Sequence, residues 1–434
     1  MMRKSLFAAT AALSLSTAGA FAQTEIVLWH GLGGALGEAT NALVESFNAA
    51  QSDYRLTPIY KGSYEETLTA AIAAFRAGEH PNIVQVFDAG AATVIGAKGA
   101  TIAAADLLEQ FGTKPFDADD YIPGVRNFYA DASGKMVGMP FNSSTPIMYI
   151  NDGALAKAGV TAPKTWEEFE AIAPKLLEAG YIPLAQSHLP WIFTENFMSR
   201  HNQPFATNAN GFEGADGTKI LIDNPALKAH FSKLKEWRDA GLFGWFGTGW
   251  NENQQPFQED KVALWLGSSG SFSGLLKSAT MPFSAAELPY WAGVEGAGTN
   301  TFIGGAALFA MSGKSDAENK ASAAFFEFLS SPEVQVSWHK ATGYVPVTPA
   351  AYELAKSQGY YDEFPAAEVG VRQLLLPGSD NTRGYRMGFY VQIRDVMNRE
   401  YSRILNGEAT VDDAFKAIET EANELLSRFA RTAS

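Results

Sequence analysis

The first third of the chain alternates between segments patterned like buried strands and segments patterned like amphipathic helices. Strands are predicted over 25–29, 54–60 and 82–87, with one helix ending near residue 50 and another spanning 64–77. Strands and helices that alternate at this spacing form βαβ units, which build a mainly parallel sheet. The sequence therefore predicts an α/β fold.

A glycine-rich loop over 30–37 follows the first predicted strand. A dinucleotide site at such a loop would need the spacing G-x-G-x-x-G, but Leu36 occupies the position of the last glycine. The chain also contains no P-loop motif. We therefore expect no nucleotide cofactor.

The N-terminus has the pattern of a secretory leader. Arg3 and Lys4 precede a short apolar run, and the small residues around Ala20 and Ala22 form a cleavage site of the A-x-A type. No later segment approaches the roughly 18 uninterrupted apolar residues that a transmembrane helix needs. We expect cleavage after Ala22, export to the periplasm, and a mature chain long enough for two or three domains.

Composition narrows the possible partners and chemistry. The net charge of −14 repels nucleic acid and anionic lipid, and the absence of cysteine excludes disulfides and thiolate sites. The six histidines show no zinc-binding spacing, so no metal is expected. The 29 Phe, 15 Tyr and 9 Trp residues offer stacking surfaces for small polyol ligands.

The stretch 139–151 joins a polar turn with two serines and an asparagine to a β-rich run at 147–150. This arrangement suits a strand that leaves one lobe and enters another, with hydroxyl groups at the crossing. The alternative is a strand whose start is merely capped by hydroxyls. Asp88 has a similar ambiguity: it lies either at the ligand-binding edge of the sheet or at a simple helix N-cap.

Two further segments favour ligand binding. A serine cluster at 268–271 follows the predicted strand 261–267 and offers donors to an anion. It does not form a nucleophile elbow, because Ser271 stands where G-x-S-x-G requires glycine. Gly304 and Gly305 interrupt a predicted strand over 301–311, which indicates a bulge or the close approach of a ligand.

Several of these segments together resemble the extracellular solute-binding proteins of ABC importers, family 1, and within it the members that bind glycerol phosphate. The similarity runs nearly end to end and is carried by these motifs: Trp29-His30, 60–62 (YKG), 70–76 (AAIAAFR), 140–146 (PFNSSTP), 163–166 (PKTW), 268–271 (SSGS), 303–306 (IGGA) and 342–346 (TGYVP).

The resemblance implies the type II periplasmic binding protein fold, in which two α/β lobes with mixed sheets flanked by helices close on ligand about a hinge. On this basis we expect a leader at 1–22, a first lobe formed by 23–140 and 283–333, and a second lobe formed by 141–282 and 334–434. It further implies a monomer that delivers glycerol 3-phosphate to a membrane permease, with no catalytic residue and no cofactor.

The family's pocket transfers to eight positions, and a ninth, His188, departs from the family pattern. Tyr64 and Asp88 would hold the glycerol hydroxyls, and Trp191 would stack on the carbon chain. The remaining residues, with Arg386 as the cation, would surround the polar head: Ser144, Ser268, Gly305, Tyr344 and Arg386. Without the resemblance, a surface ion pair would be the favoured interpretation of Arg386.

Two positions depart from the family pattern. Asp88 replaces a glutamate and is one methylene shorter, and His188 replaces a second pocket tryptophan with a smaller polar ring. This change would widen the site for glycerophosphodiesters such as glycerophosphocholine. Two alternatives remain open on the sequence alone: an oligosaccharide receptor, favoured by the aromatic content, and an exported phosphodiesterase.

Overall fold

The computed structural model describes residues 23–433, so the predicted leader lies outside the described residues. Two sheets flanked by helices make up this part of the chain, as the resemblance implies. Both sheets contain parallel and antiparallel pairs, so they are mixed and not mainly parallel as the strand and helix spacing predicted. None of the helices within 23–433 combines the length and apolar character that a bilayer crossing requires.

The strands are β1 (Thr24–His30), β2 (Tyr54–Tyr60), β3 (Ile83–Phe87), β4 (Thr101–Ile102), β5 (Met139–Ser144), β6 (Pro146–Asn151), β7 (Ile182–Gln186), β8 (Phe243–Gly244), β9 (Val262–Ser268), β10 (Phe283–Ala286) and β11 (Gly304–Met311). The first sheet has the order β2-β1-β3-β11-β4, with β5 also paired to β11. Strands β1, β2 and β3 run parallel, whereas β11 is antiparallel to each of its neighbours. The second sheet has the order β10-β6-β9-β7-β8.

The helices are α1 (Gly34–Ala50), α2 (Tyr64–Ala77), α3 (Asp88–Ile95), α4 (Ala104–Phe111), α5 (Pro123–Phe128), α6 (Asp152–Ala158), α7 (Trp166–Glu178), α8 (Asn196–Arg200), α9 (Thr207–Asn210), α10 (Pro225–Asp239), α11 (Trp250–Gln258), α12 (Phe272–Ser278), α13 (Asp316–Ser330), α14 (Pro332–Thr342), α15 (Pro349–Ser357), α16 (Tyr360–Glu363), α17 (Pro365–Leu374), α18 (Tyr390–Leu405) and α19 (Val411–Ala433). A π-helical segment, Pro190–Glu195, precedes α8. The predicted bounds of β2 and α2 agree with the structure to the residue.

The stretch 139–151 passes from one sheet to the other. Strand β5 pairs with β11 in the first sheet, and after the single residue Thr145 the chain enters β6 of the second sheet. Both crossings differ from the predicted lobe boundaries. Residues 141–144 belong to the first sheet, so the first crossing lies at Thr145 and not after residue 140. Strand β10 pairs with β6 in the second sheet, so the return crossing lies after β10 and not after residue 282. The chain therefore returns to the first sheet only between β10 and β11.

Three buried polar side chains join the two crossings. The hydroxyls of Thr145 and Thr301 are hydrogen-bonded to each other. The amide nitrogen of Gln373 donates to both hydroxyls, at 3.1 Å each, and to the Pro146 carbonyl at 2.7 Å. Gln373 belongs to α17. Because every polar group here is satisfied, the crossings are held in a defined relation to each other.

Candidate functional site

A cavity of about 380 Å³ lies where side chains from both sheets meet. It lies at the carboxyl ends of β3 and β9, the edge at which open α/β sheets collect ligands. Eight of the nine predicted site residues line it: Tyr64, Asp88, Ser144, His188, Trp191, Ser268, Gly305 and Tyr344. The ninth, Arg386, is not among the lining residues.

The first-sheet wall is built by the starts of two helices. Asp88 is the first residue of α3, directly after β3, so the sheet edge and the helix start are the same place. Tyr64 opens α2, and its ring stacks on that of Phe87 with centroids 5.4 Å apart. The side-chain amide of Asn142 donates to the Tyr64 hydroxyl at 2.7 Å. These contacts fix the orientation of the Tyr64 ring at the cavity.

The second-sheet wall contributes indole rings and hydroxyls. Trp191 lies in the π-helical segment after β7, and its ring centroid is 6.2 Å from that of Trp250. Ser268 ends β9, and its hydroxyl accepts a hydrogen bond from the Gly270 N–H at 3.0 Å. This wall therefore combines apolar faces with polar groups, as small-molecule sites usually do.

The paired glycines at the start of β11 bring backbone close to the ligand space. Gly305 has φ of +93°, and a Cβ there would lie 1.8 Å from the Asn142 carbonyl oxygen. A Cβ on Gly304 would lie 2.5 Å from the Trp191 indole. The register also shifts between Ala306 and Ala307, which is the bulge that the glycines predicted. Both positions consequently require glycine.

The cation of this site is Arg394, a residue that sequence reasoning missed. Its Nη2 donates to Asp88 Oδ2 at 2.6 Å and to Glu195 Oε2 at 2.7 Å, and its Nε donates to Glu195 Oε1 at 2.7 Å. Asp88 adjoins the first sheet, whereas Glu195 follows β7 of the second. Arg394 therefore links the two sides of the cavity through charge-assisted hydrogen bonds.

Burial and charge act against each other in this cluster. Burial alone would lower the pKa of Arg394, but Asp88 and Glu195 raise it well above its usual value. Burial also raises the pKa of the Glu195 carboxyl, while the Arg394 guanidinium opposes that change. The guanidinium therefore remains a fixed cation at the cavity wall.

Arg386 occupies a different environment, which corrects the prediction. Its guanidinium donates to the Ala130 carbonyl and lies 4.6 Å from the centre of the Phe212 ring. Its Nε is buried without a hydrogen-bond partner among residues 23–433. Burial lowers the pKa of Arg386 to about 10, with Asp131 opposing and Arg383 assisting the shift.

A sequence signal for Arg394 did exist. In α18, Arg394 lies on the same face as the buried residues Tyr390, Ile393, Met397 and Tyr401. A charged residue in an apolar stripe is rarely buried without a partner, so it indicates a paired or functional site. Glu195 gives the same signal, because it follows the apolar residues 190–193 and Thr194 in a π-helical segment whose residues are all buried.

His188 presents a hydrogen-bond donor to the cavity. Its Nδ1 accepts from the Trp191 N–H at 3.2 Å, so the proton of the neutral ring resides on Nε2. Burial, assisted by the nearby Arg394, lowers the pKa of His188 to about 3. The ring is therefore uncharged at neutral pH. Within residues 23–433, no three or more His, Asp or Glu side chains are grouped to hold a metal ion.

Comparison with known proteins gives a consistent result for the whole chain. Residues 42–366 match the model of a family described as bacterial extracellular solute-binding protein. The chain is 40% identical over 421 residues to the sn-glycerol-3-phosphate-binding periplasmic protein UgpB of Brucella suis biovar 1 (strain 1330), covering 94% of this chain and 96% of that protein. It is 39% identical to UgpB of Agrobacterium fabrum, with 98% of each chain covered.

Solved structures show the same architecture at lower sequence identity. UgpB from Mycobacterium tuberculosis, in complex with glycerophosphocholine, superimposes with a TM-score of 0.76 at 22% identity, covering 94% of this chain and 99% of that chain. The GacH receptor of Streptomyces glaucescens gives 0.78 at 18% identity, covering 93% and 99%. The predicted periplasmic binding protein fold is thus confirmed. The chain belongs to the family of bacterial extracellular solute-binding proteins.

Proposed function

We propose that the protein is the substrate-binding component of an ABC importer and that it binds sn-glycerol 3-phosphate between its two lobes. One observation carries this proposal: eight of the nine residues predicted from the resemblance line one cavity, together with the buried cation Arg394. The identity of about 40% to proteins named for glycerol 3-phosphate binding supports the same ligand.

In this proposal Tyr64 and Asp88 hold the glycerol hydroxyls, and Trp191 packs on the carbon chain. The phosphate group lies against Arg394, which takes the role predicted for Arg386. In an acidic protein an anion must be held locally, by a guanidinium and by directed neutral donors. The donors available here are hydroxyls, a ring N–H and the backbone beside the paired glycines, from these residues: Ser144, His188, Ser268, Gly305 and Tyr344.

A second ligand, glycerophosphocholine, is favoured by the charges and rings around the cavity. Arg394 faces two carboxylates, Asp88 and Glu195, so the cluster carries one excess negative charge. A quaternary ammonium group is attracted both by carboxylates and by aromatic faces. The cavity supplies the rings of Trp191 and Trp250, and His188 leaves more room than the tryptophan of the family pattern.

Ligand binding would act by favouring a closed arrangement of the lobes. The ligand touches residues from both sheets, so it interacts more strongly with the closed form than with an open one. The crossings at Thr145 and Thr301 provide the hinge about which the lobes move. We propose that the permease recognises the closed form.

The remaining expectations follow from the family. We propose a monomer, exported by the leader at 1–22, that works in the periplasm and passes its ligand to ABC permease subunits. We propose that it has no catalytic activity. The boundaries of the lobes would lie at Thr145 and in the segment between β10 and β11.

Isothermal titration calorimetry on the mature protein tests the ligand. We expect saturable one-to-one binding of glycerol 3-phosphate or glycerophosphocholine, and none of maltose or inorganic phosphate. Binding of maltose alone would favour an oligosaccharide receptor. Release of free glycerol phosphate from glycerophosphocholine on incubation would instead identify a phosphodiesterase.

A further inference from the structure

A buried carboxylate lies behind the cation of the cavity and is not itself one of the lining residues. Glu195 has no exposed surface, and it binds Arg394 through both of its oxygens. We propose that Glu195 is a specificity-determining residue whose charge makes the cleft favour monoanionic phosphate groups over dianionic ones. The inference rests on the proposed function and adds a rule for the charge of the ligand.

Burial raises the pKa of Glu195, but the charge of Arg394 and the hydrogen bonds donated to Glu195 favour its carboxylate form. Besides the two bonds from Arg394, Oε1 accepts from the Tyr390 hydroxyl and Oε2 from the Tyr385 hydroxyl, both at 3.1 Å. Each of these four bonds is donated to Glu195, and a carboxylate can accept all of them. Among residues 23–433, Glu195 therefore adds a negative charge that no second cation balances, since Arg394 is shared with Asp88.

Arg394 brings this charge close to the ligand. A phosphate oxygen bound to the guanidinium would be two charge-assisted hydrogen bonds from Glu195, on the order of 5 Å away. At such a distance, away from water, a second negative charge on the phosphate is repelled strongly. A phosphate monoester gains its second negative charge at about pH 6, whereas a phosphodiester keeps a single negative charge.

The rings of the other ionisable groups around Glu195 do not change charge in the pH range in which its repulsion of a second phosphate charge is tested. Within residues 23–433, the groups that face Glu195 or its arginine partner are Asp88, His188, Arg394, Tyr129, Tyr385, Tyr390 and Tyr401. Burial raises the pKa of all four tyrosines. Burial lowers the pKa of His188 to about 3. These five rings therefore stay neutral between about pH 5 and pH 8, the range in which a phosphate monoester titrates.

The test compares two ligands in two proteins. Dissociation constants for glycerol 3-phosphate and glycerophosphocholine are measured by calorimetry at about pH 5 and about pH 8 for the parent protein and Glu195→Gln. We expect the substitution to shift the ratio of the two constants at the higher pH roughly tenfold toward glycerol 3-phosphate, and to leave the ratio at the lower pH nearly unchanged. An unchanged ratio at the higher pH overturns the inference.

Two further variants separate charge from position. Glu400→Gln removes another buried carboxylate paired with arginines on the same helix, away from the cavity, and should not change the ratio. Glu195→Asp keeps the charge but shortens the side chain, so both affinities should fall while the ratio stays at its parent value. A ratio that shifts in Glu195→Asp as it does in Glu195→Gln would mean that geometry, and not charge, sets the preference.

If Glu195→Gln does not fold, the parent protein alone still tests the preference for monoanionic phosphate groups. Its affinity for glycerol 3-phosphate should stay level or weaken from about pH 5 to about pH 8, relative to glycerophosphocholine. A tenfold strengthening would overturn the inference. Binding of neither ligand would overturn the proposed function instead, so the two failures are distinguishable.

Discussion

Two arginines eight positions apart in the sequence, Arg386 and Arg394, occupy contrasting sites. Arg394 makes short bonds to two carboxylates and lines the cavity. Arg386 donates to one carbonyl, lies against an aromatic ring and is absent from the cavity lining. Both are largely removed from water, so burial alone does not identify a ligand-binding cation. The partners of the guanidinium distinguish them.

The largest expected effect comes from removing Arg394. Arg394→Ala should weaken binding of either phosphate ligand by about 3 kcal/mol, on the order of a hundredfold in Kd, because the bound anion loses its ionic partner. Calorimetry measures the loss, and a thermal melt checks that the variant is folded. Arg386→Ala is the matched control and should bind nearly as the parent does. Equal losses in the two variants would contradict the assignment of the site to Arg394.

The sequence located the residues that local motifs carry, but not the charged pairs. Tyr64, Ser144 and Ser268 fall in or beside short recognisable motifs, and each of them lines the cavity. Arg394 meets Asp88 across 306 positions of sequence, a distance over which no local pattern fixes the register. The sequence therefore placed the cation at Arg386, eight positions before the arginine that lines the cavity.

The crossings between the two sheets illustrate the same limitation. The stretch 139–151 passes from the first sheet to the second, in agreement with the crossing that its sequence suggested. It could not show that the short strand β10 pairs with β6, since four residues of ordinary composition specify neither partner nor direction. Strand pairing is decided by contacts distant in sequence, so the local sequence does not determine where the chain crosses between the sheets.

The second largest loss of ligand affinity is expected from removing Trp191, on the apolar wall opposite the charges. Trp191→Ala should weaken binding about tenfold, because the ligand loses a flat packing surface that the backbone of Gly304 supports. Calorimetry measures the affinity. In the parent protein, tryptophan fluorescence should change on ligand addition, and this change should shrink in the variant. A full-sized spectral change in Trp191→Ala would assign the signal to another indole, such as Trp250.

A smaller effect should appear in the titration of His188, which reports on the charge beside it. Burial and then Arg394 hold the pKa of His188 down to about 3. Arg394→Met removes the positive charge, so the pKa of His188 should rise toward its ordinary value, while Arg386→Met should leave it unchanged. Nuclear magnetic resonance of the imidazole across acid pH measures both shifts. An equal rise in the two variants would remove the distinction between the arginines.

The smallest effect is expected for the stability of Arg386→Met. Among residues 23–433, the Arg386 guanidinium donates to the Ala130 carbonyl and to no carboxylate. Burial lowers the pKa of Arg386 to about 10, so the folded protein stabilises its charged form poorly. A methionine of similar length keeps the packing on Phe212 without the desolvated charge, and the free energy of unfolding should change by no more than about 1 kcal/mol. Arg394→Met leaves two carboxylates without their cation and should destabilise the fold by about 3 kcal/mol. Denaturant unfolding at neutral pH measures the free energy of unfolding of both variants. An equal loss of stability in Arg386→Met and Arg394→Met would show that the contacts of Arg386 stabilise the fold as much as those of Arg394.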